Sequence, residues 1–124
     1  MWKKVELKGL TPVASLEGTA LDWAVAKCLP DDTVRIYFEE ETGEKLFLDD
    51  WEVPEFSPLT DWAQGGPIIE REKMTLEWTG EDWMAYIRHD EEYFGPTPLI
   101  AAMRCFVASK LGDEVEVPDE LLQS

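Results

Sequence analysis

Two long stretches of the chain predict α-helices: residues 16–29 are mostly apolar, and residues 98–111 have apolar residues that recur at helical spacing. Pro30 ends the first stretch, because proline cannot continue a helix. The second stretch has a signal at each end, since Thr97 is a good N-cap and Gly112 suits the residue that follows a helix. The pattern therefore predicts one helix in each half of the chain, the second with well-defined limits.

The helix predicted at residues 98–111 has two dissimilar faces. Its apolar stripe consists of Leu99, Met103, Phe106, Val107 and Leu111. Its opposite face is small except for one charge and consists of Thr97, Ala101, Arg104 and Ala108. We expect the stripe to face the core, and Arg104 either to point into solvent or to pair with a carboxylate.

Apolar and polar residues alternate with a period of two elsewhere, which is typical of half-buried strands. The predicted strands are residues 3–10, 33–40, 46–50 and the two halves of 74–87. A glycine-containing turn joins the second and third of these strands into a hairpin. Trp78 and Trp83 bracket the turn of a second hairpin, where contact between aromatic rings stabilises pairing.

These elements predict an α+β fold in a single domain of residues 1–124. We expect a mostly antiparallel sheet of about four to five strands and three helices, of which at least the first and last pack on the sheet. A layered α/β/α sandwich is the preferred arrangement.

The middle helix is predicted from "DWAQGGPIIERE", residues 61–72, which has helical character on both sides of Gly-Gly-Pro. Ser57 or Thr60 is its expected N-cap. Pro67 cannot donate a hydrogen bond to the carbonyl of Ala63 and clashes with it. We therefore expect a kink, or a new helix that begins near Pro67.

Gly65 and Gly66 have a functional and a structural interpretation. A phosphate-binding loop is a weak match, because the lysine and hydroxyl of such loops are missing and acidic residues surround the motif. We favour the structural interpretation, in which glycine lets the backbone approach another element closely.

Acidic residues exceed basic ones by 27 to 11, which gives a net charge of −16. Direct binding of nucleic acid is therefore not expected, since it requires a basic face. Residues 31–55 carry half of the excess charge. The predicted acidic surface consists of Glu39, Glu40, Glu41, Glu44, Asp49, Asp50, Glu52 and Glu55. It is either a solvated, solubilising loop or a surface that imitates nucleic acid or docks a basic partner.

Several classes of site and location find no support in the sequence. Cys28 and Cys105 lie among apolar residues and are expected to be buried free thiols. The lone His89 has no metal-ligand spacing around it, so we expect neither a metal nor another cofactor. No apolar run is long enough for a membrane span, and we predict a cytoplasmic protein.

Three segments carry a resemblance to a known family: "ALDWAVAKCL", "SPLTDWAQGGPIIERE" and "GPTPLIAAMRCFVASKLGDEVEVPDELL". Together they resemble the NinX-like proteins of lambdoid phages and prophages over most of the chain, with Asp-Trp-Ala-Gln-Gly-Gly-Pro as the most specific string. The order of elements is more distantly similar to the phage ABA sandwich domain, in which small residues within a continuous helix occupy the Gly65-Gly66 position. No catalytic residues are established for the family. The resemblance implies an accessory phage protein that works in the bacterial cytoplasm.

We prefer a non-enzymatic interaction module that binds a host or phage protein. Its candidate surface consists of Trp51, Phe56, Asp61, Trp62, Gln64, Gly65, Gly66 and Tyr93. The first alternative is an acidic nucleic-acid mimic that blocks a DNA-binding host protein. The second is a small enzyme using the carboxylates Asp61, Glu70 and Glu72 with His89, although no nucleophile and base stand at a motif-like spacing. The sequence leaves the oligomeric state open.

Overall fold

The computed structural model describes residues 10–29, 57–88 and 91–117, together with the backbone of 34–39 and 43–48. The helices in these segments are α1 (Gly18–Cys28), α2 (Trp62–Glu72) and α3 (Pro98–Leu111). The strands are β1 (Thr11–Pro12), β2 (Val34–Glu39), β3 (Gly43–Leu48), β4 (Thr75–Trp78), β5 (Trp83–Tyr86), β6 (Tyr93–Gly95) and β7 (Glu114–Val115). A 3-10 turn, Val13–Ser15, follows β1.

The described strands pair antiparallel in three sheets: β1 with β7, β2 with β3, and β4, β5 and β6 in that order. The predicted α+β class, with three helices and antiparallel strands, is confirmed. The sequence predicted a single sheet of four to five strands, whereas the strands of the described segments form three sheets of two or three strands each. Residues 3–9 of the predicted first strand lie outside the described part, and Leu10 is not in a strand.

Both predicted hairpins are confirmed. In the first, β3 already begins at Gly43, which pairs with Glu39 at the end of β2. In the second, Trp78 lies directly opposite Trp83, and their ring centroids are 5.5 Å apart in a tilted arrangement. This geometry is one that aromatic pairs favour, so the pair stabilises the turn end of the sheet.

Helix α3 is the centre of the core. Its limits agree with the prediction, since the Thr97 hydroxyl accepts a hydrogen bond from the Ile100 amide at 3.1 Å, and Gly112 has a φ of 93°. The helix contacts β5 and β6 as well as α1 and α2. The predicted single stripe was therefore too narrow: Ala101 is fully buried, whereas Leu111 at the helix end is 45% exposed.

Arg104 binds backbone carbonyls, which neither predicted alternative anticipated. Its Nε donates to the carbonyl of Leu16 at 2.9 Å, and its Nη1 donates to the carbonyl of Phe94 at 2.7 Å. Burial lowers the pKa of the guanidinium, and nearby Glu17 partly opposes this effect. One side chain thus joins α3 to β6 and to the segment that leads into α1.

Candidate functional site

Helix α2 is continuous from Trp62 to Glu72 and includes Pro67, so the predicted new helix at the proline is wrong. Proline inside a helix removes one backbone hydrogen bond, here the one that residue 67 would donate to the carbonyl of Ala63. Contacts outside its own backbone hold the first turn of this helix in place.

Asp61, and not Ser57 or Thr60, is the N-cap of α2. Its Oδ1 accepts a hydrogen bond from the Ala63 amide at 2.9 Å. The hydroxyls of Ser57 and Thr60 bind each other instead. Asp61 is the N-cap because it immediately precedes the first helical residue, which is the N-cap position.

Gln64 ties the helix back onto the segment that precedes it. Its Oε1 accepts a hydrogen bond from the Ser57 amide at 2.9 Å, and its Nε2 donates to Asp61 Oδ2 at 2.9 Å. Both ends of the Gln64 amide are therefore used, and both Asp61 oxygens accept hydrogen bonds. The result is a closed clamp of Ser57, Asp61 and Gln64 at the start of α2.

Gly65 is where α2 touches its neighbours most closely. A Cβ atom at this position would lie 2.5 Å from the carbonyl oxygen of Pro58 and 2.6 Å from Leu99 Cδ2. Any side chain would therefore separate α2 from the preceding turn and from α3. The structural interpretation of the glycine pair is confirmed for Gly65.

The turn before α2 is also attached to α1. The amide of Leu59 donates to Asp22 Oδ1 at 3.4 Å, and the Leu59 side chain is 5% exposed. Asp22 is itself 9% exposed, and a buried carboxylate is stable only when it is bound by donors. The start of α2 is thus held by α1, α3 and its own preceding turn.

The opposite side of α2 faces solvent, and we call it the Trp62 face. At 100° per residue it comprises Trp62, Ala63, Gly66, Pro67 and Glu70. Trp62 is 53% exposed. A Cβ on Gly66 would lie 3.9 Å from Cε3 of the Trp62 ring, so the indole edge lies beside the bare glycine backbone. An exposed, largely apolar helix surface is thus presented by a firmly attached helix.

Tyr93 is not on this surface. It lies in β6 and lines an open groove of about 430 Å³ together with Glu92, Phe94 and Arg104. Burial is the main cause that raises the pKa of Tyr93, and Asp113 adds to it. The structure therefore brings together Asp61, Trp62, Gln64, Gly65 and Gly66, and it places Tyr93 on a different element.

Trp51 and Phe56 lie outside the described residues, as do six of the predicted acidic residues, Glu40, Glu41, Asp49, Asp50, Glu52 and Glu55. Glu39 and Glu44 belong to β2 and β3, of which the backbone is described. The proposed acidic surface stays a prediction.

Two of the three carboxylates considered for catalysis, Asp61 and Glu72, have structural partners, and Glu70 is exposed. Both Asp61 oxygens are engaged in the clamp. Glu72 binds Lys110 Nζ at 2.9 Å and Arg71 Nε at 3.2 Å. The hydrogen bond from Lys110 is the largest cause that lowers the pKa of Glu72, which is opposite to the shift a general acid needs. His89 lies outside the described residues.

The two cysteines are free thiols, as predicted, with Cys105 buried and Cys28 half-buried. Burial raises the pKa of Cys28 to about 12 and that of Cys105 to about 11. Both thiols are therefore protonated at neutral pH and poorly nucleophilic. Within the described ranges no group of three or more His, Cys, Asp or Glu side chains has the geometry to hold a metal ion.

Sequence reasoning missed Ala63, Pro67 and Glu70 as members of the exposed face. A helical projection carried through Pro67 groups them with Trp62 and opposite Ile68, which is 6% exposed. The expectation of a break at the proline prevented that projection.

Residues 12–110 match the protein-family model described as Bacteriophage P22, NinX. The matched range contains α1 and α2 entirely and all but the last residue of α3. No curated protein matches the chain. None of the described helices has the length and hydrophobicity of a membrane span. Because the match covers most of the chain, the protein belongs to the bacteriophage P22 NinX family and is a phage accessory protein.

Proposed function

We propose that this protein is a non-enzymatic interaction module that binds a host or phage protein in the bacterial cytoplasm. The Trp62 face is the proposed binding surface. The observation that carries the proposal is an indole that is 53% exposed on a helix whose first turn is fixed by the Ser57–Asp61–Gln64 clamp.

Two physical properties favour this use of Trp62. Tryptophan is enriched among the few interface residues that contribute most of the binding free energy. A helix held in place before binding loses less conformational entropy when the partner arrives. The hydrogen bonds of Asp61 and Gln64 and the close contact of Gly65 supply that attachment. In this proposal these three residues support the surface and the partner touches Trp62.

Trp78 offers a matched control, because it is 56% exposed and lies on the second hairpin. Tagged wild-type, Trp62→Ala and Trp78→Ala proteins would be used to capture partners from phage-infected bacteria, with elution along a salt gradient. We expect a specific protein that wild type and Trp78→Ala retain at high salt and that Trp62→Ala does not recover. Thermal melting of each variant checks that the fold is intact.

Equal recovery of every partner by folded Trp62→Ala would refute the proposed surface. The acidic mimic would instead be favoured by a DNA-binding host protein that elutes at moderate salt, competes with DNA and is recovered equally by Trp62→Ala. Complexes dominated by charge weaken steeply with ionic strength.

A further inference from the structure

We propose that the Trp62 face recognises an arginine side chain of its partner, which stacks on the Trp62 indole and donates a hydrogen bond to the main-chain carbonyl of Ala63. This inference rests on the proposed function and adds the chemistry of the contact. It derives from the proline inside α2, which cannot donate a hydrogen bond to that carbonyl.

The carbonyl of Ala63 lacks its regular helical donor. In an α-helix each carbonyl accepts a hydrogen bond from the amide four residues later, which for Ala63 is residue 67. Residue 67 is proline and has no amide hydrogen, yet α2 continues through it. The covalent structure alone therefore leaves an acceptor without its regular donor in the first turn of the helix.

This acceptor belongs to the exposed face. Ala63 and Pro67 are both exposed, and a helical carbonyl points along the axis from its own residue toward the amide position one turn on. Trp62 immediately precedes Ala63 in the chain, and Gly66 beside its ring carries no side chain. At Gly66, therefore, no side chain blocks a ligand that covers the indole and extends toward the carbonyl.

Charge indicates a cationic ligand. The chain has a net charge of −16, and exposed Glu70 lies on the same face, one turn beyond Gly66. The nearby cation Arg71 is directed away, since its Nε binds Glu72 at 3.2 Å and its guanidinium carbon is 5.9 Å from the ring centroid of buried Phe106. The face is therefore complementary to a positive charge.

Arginine meets these requirements better than lysine. Its guanidinium is planar, stacks on aromatic rings and carries several hydrogen-bond donors in one plane. One edge can therefore donate to the Ala63 carbonyl while the flat surface covers the indole. A lysine ammonium can satisfy either contact, but it has no flat surface with which to stack.

The test uses tri-arginine as the probe, with tri-lysine as the comparison. Each peptide would be titrated into the full chain while the Trp62 indole N–H is followed by NMR, assigned through its loss in Trp62→Phe. We expect tri-arginine to shift the Trp62 signal in a saturable way and to bind several-fold tighter than tri-lysine. In Pro67→Ala the restored amide occupies the Ala63 carbonyl, so tri-arginine should bind about three- to tenfold more weakly.

Thermal melting of Pro67→Ala serves as the fold control, and it should show equal or greater stability because alanine is a good helix former. Unchanged tri-arginine affinity in folded Pro67→Ala would overturn the role of the carbonyl. Equal binding of the two peptides, or no shift of Trp62, would overturn the preference for arginine. Neither outcome affects the capture experiment, where loss of the partner in Trp62→Ala would still support the interaction surface.

Discussion

The start of α2 and the turn end of the β4–β5 hairpin each expose a tryptophan to a similar extent, 53% for Trp62 and 56% for Trp78. Trp78 contacts the ring of Trp83, so its apolar surface already has a partner within the protein. Trp62 lies beside a glycine, on a helix whose start is fixed by hydrogen bonds between backbone amides and the side chains of Asp61 and Gln64. Similar exposure therefore has different consequences for the two residues. Trp78 stabilises the fold through its ring contact, whereas Trp62 is held on the surface with its ring open to solvent.

The largest effect is expected from Gly65→Ala, which should remove the close contact that fixes α2. The new Cβ would lie 2.5 Å from the Pro58 carbonyl oxygen, and a backbone atom cannot move aside as a flexible side chain can. We expect a loss of about 1–3 kcal/mol in the free energy of unfolding. Urea denaturation measures it.

Gly66→Ala is the matched control for that substitution. Its Cβ would meet Trp62 at an ordinary contact distance of 3.9 Å, so the usual helical advantage of alanine over glycine should raise stability by up to about 1 kcal/mol. Similar changes in the two variants would contradict the account of Gly65 as a contact point.

Asp61→Ala should produce the next largest effect, because it removes the N-cap and one side of the clamp. The Ala63 amide and the Gln64 side chain both lose a hydrogen-bond partner. We expect a loss of about 1 kcal/mol in unfolding free energy. Faster hydrogen exchange confined to the first turn of α2 would locate the damage, and unchanged exchange there would speak against the clamp.

Trp83→Ala tests the other half of the comparison. In a double-mutant cycle with Trp78→Ala, the coupling free energy of the two rings should be about 0.5–1.5 kcal/mol. Because Trp83 lies outside α2, capture of partners through Trp62 should persist in folded Trp83→Ala. Loss of capture in a folded Trp83→Ala protein would mean that the hairpin shares the interface.

The smallest effect concerns the far end of α2, where Glu72 pairs with Lys110 at 2.9 Å. The pKa of Glu72 in the folded protein lies below its ordinary value of 4.5, so its contribution is present above that pH and is lost as pH falls through the folded value. Glu72→Gln should therefore cost about 0.5 kcal/mol at neutral pH, and the difference from wild type should vanish in acid. Denaturation curves across the acidic range measure this, and a constant difference would exclude the ion pair as its cause.

Local signals in the sequence were sufficient for some elements. Thr97 and Gly112 mark the limits of α3, and Trp78 and Trp83 mark a hairpin turn, because caps and turns depend on neighbouring residues. The course of α2 could not be obtained in this way. Gly65, two residues before Pro67, packs closely against Pro58 and Leu99, and Leu99 is remote in sequence.

Long-range contacts also explain the two corrections in α3. Arg104 donates to the carbonyl of Leu16, 88 positions away, and no periodicity in either segment indicates that bond. Ala101 is buried because several elements surround α3, and a helix buried on several sides no longer shows a single apolar stripe. For the proposed binding surface, the sequence singled out the Asp61–Pro67 string, and only the structure shows which side of α2 faces solvent.

The bare backbone at Gly65 also determines the azimuth of Trp62 around the axis of α2. Each residue turns the helix by 100°, so Trp62 and Gly65 point in directions about 60° apart. The helix could not be rotated to place Ala63 or Gln64 against Pro58 and Leu99, because the Cβ atom of either residue would overlap those neighbours. A rotation that placed Gly66 at this contact would move Ile68, which is 6% exposed in the structure, out of the core. The absence of a Cβ atom at buried Gly65 thus fixes the rotation of α2 about its axis, and with it the direction in which Trp62 points into solvent.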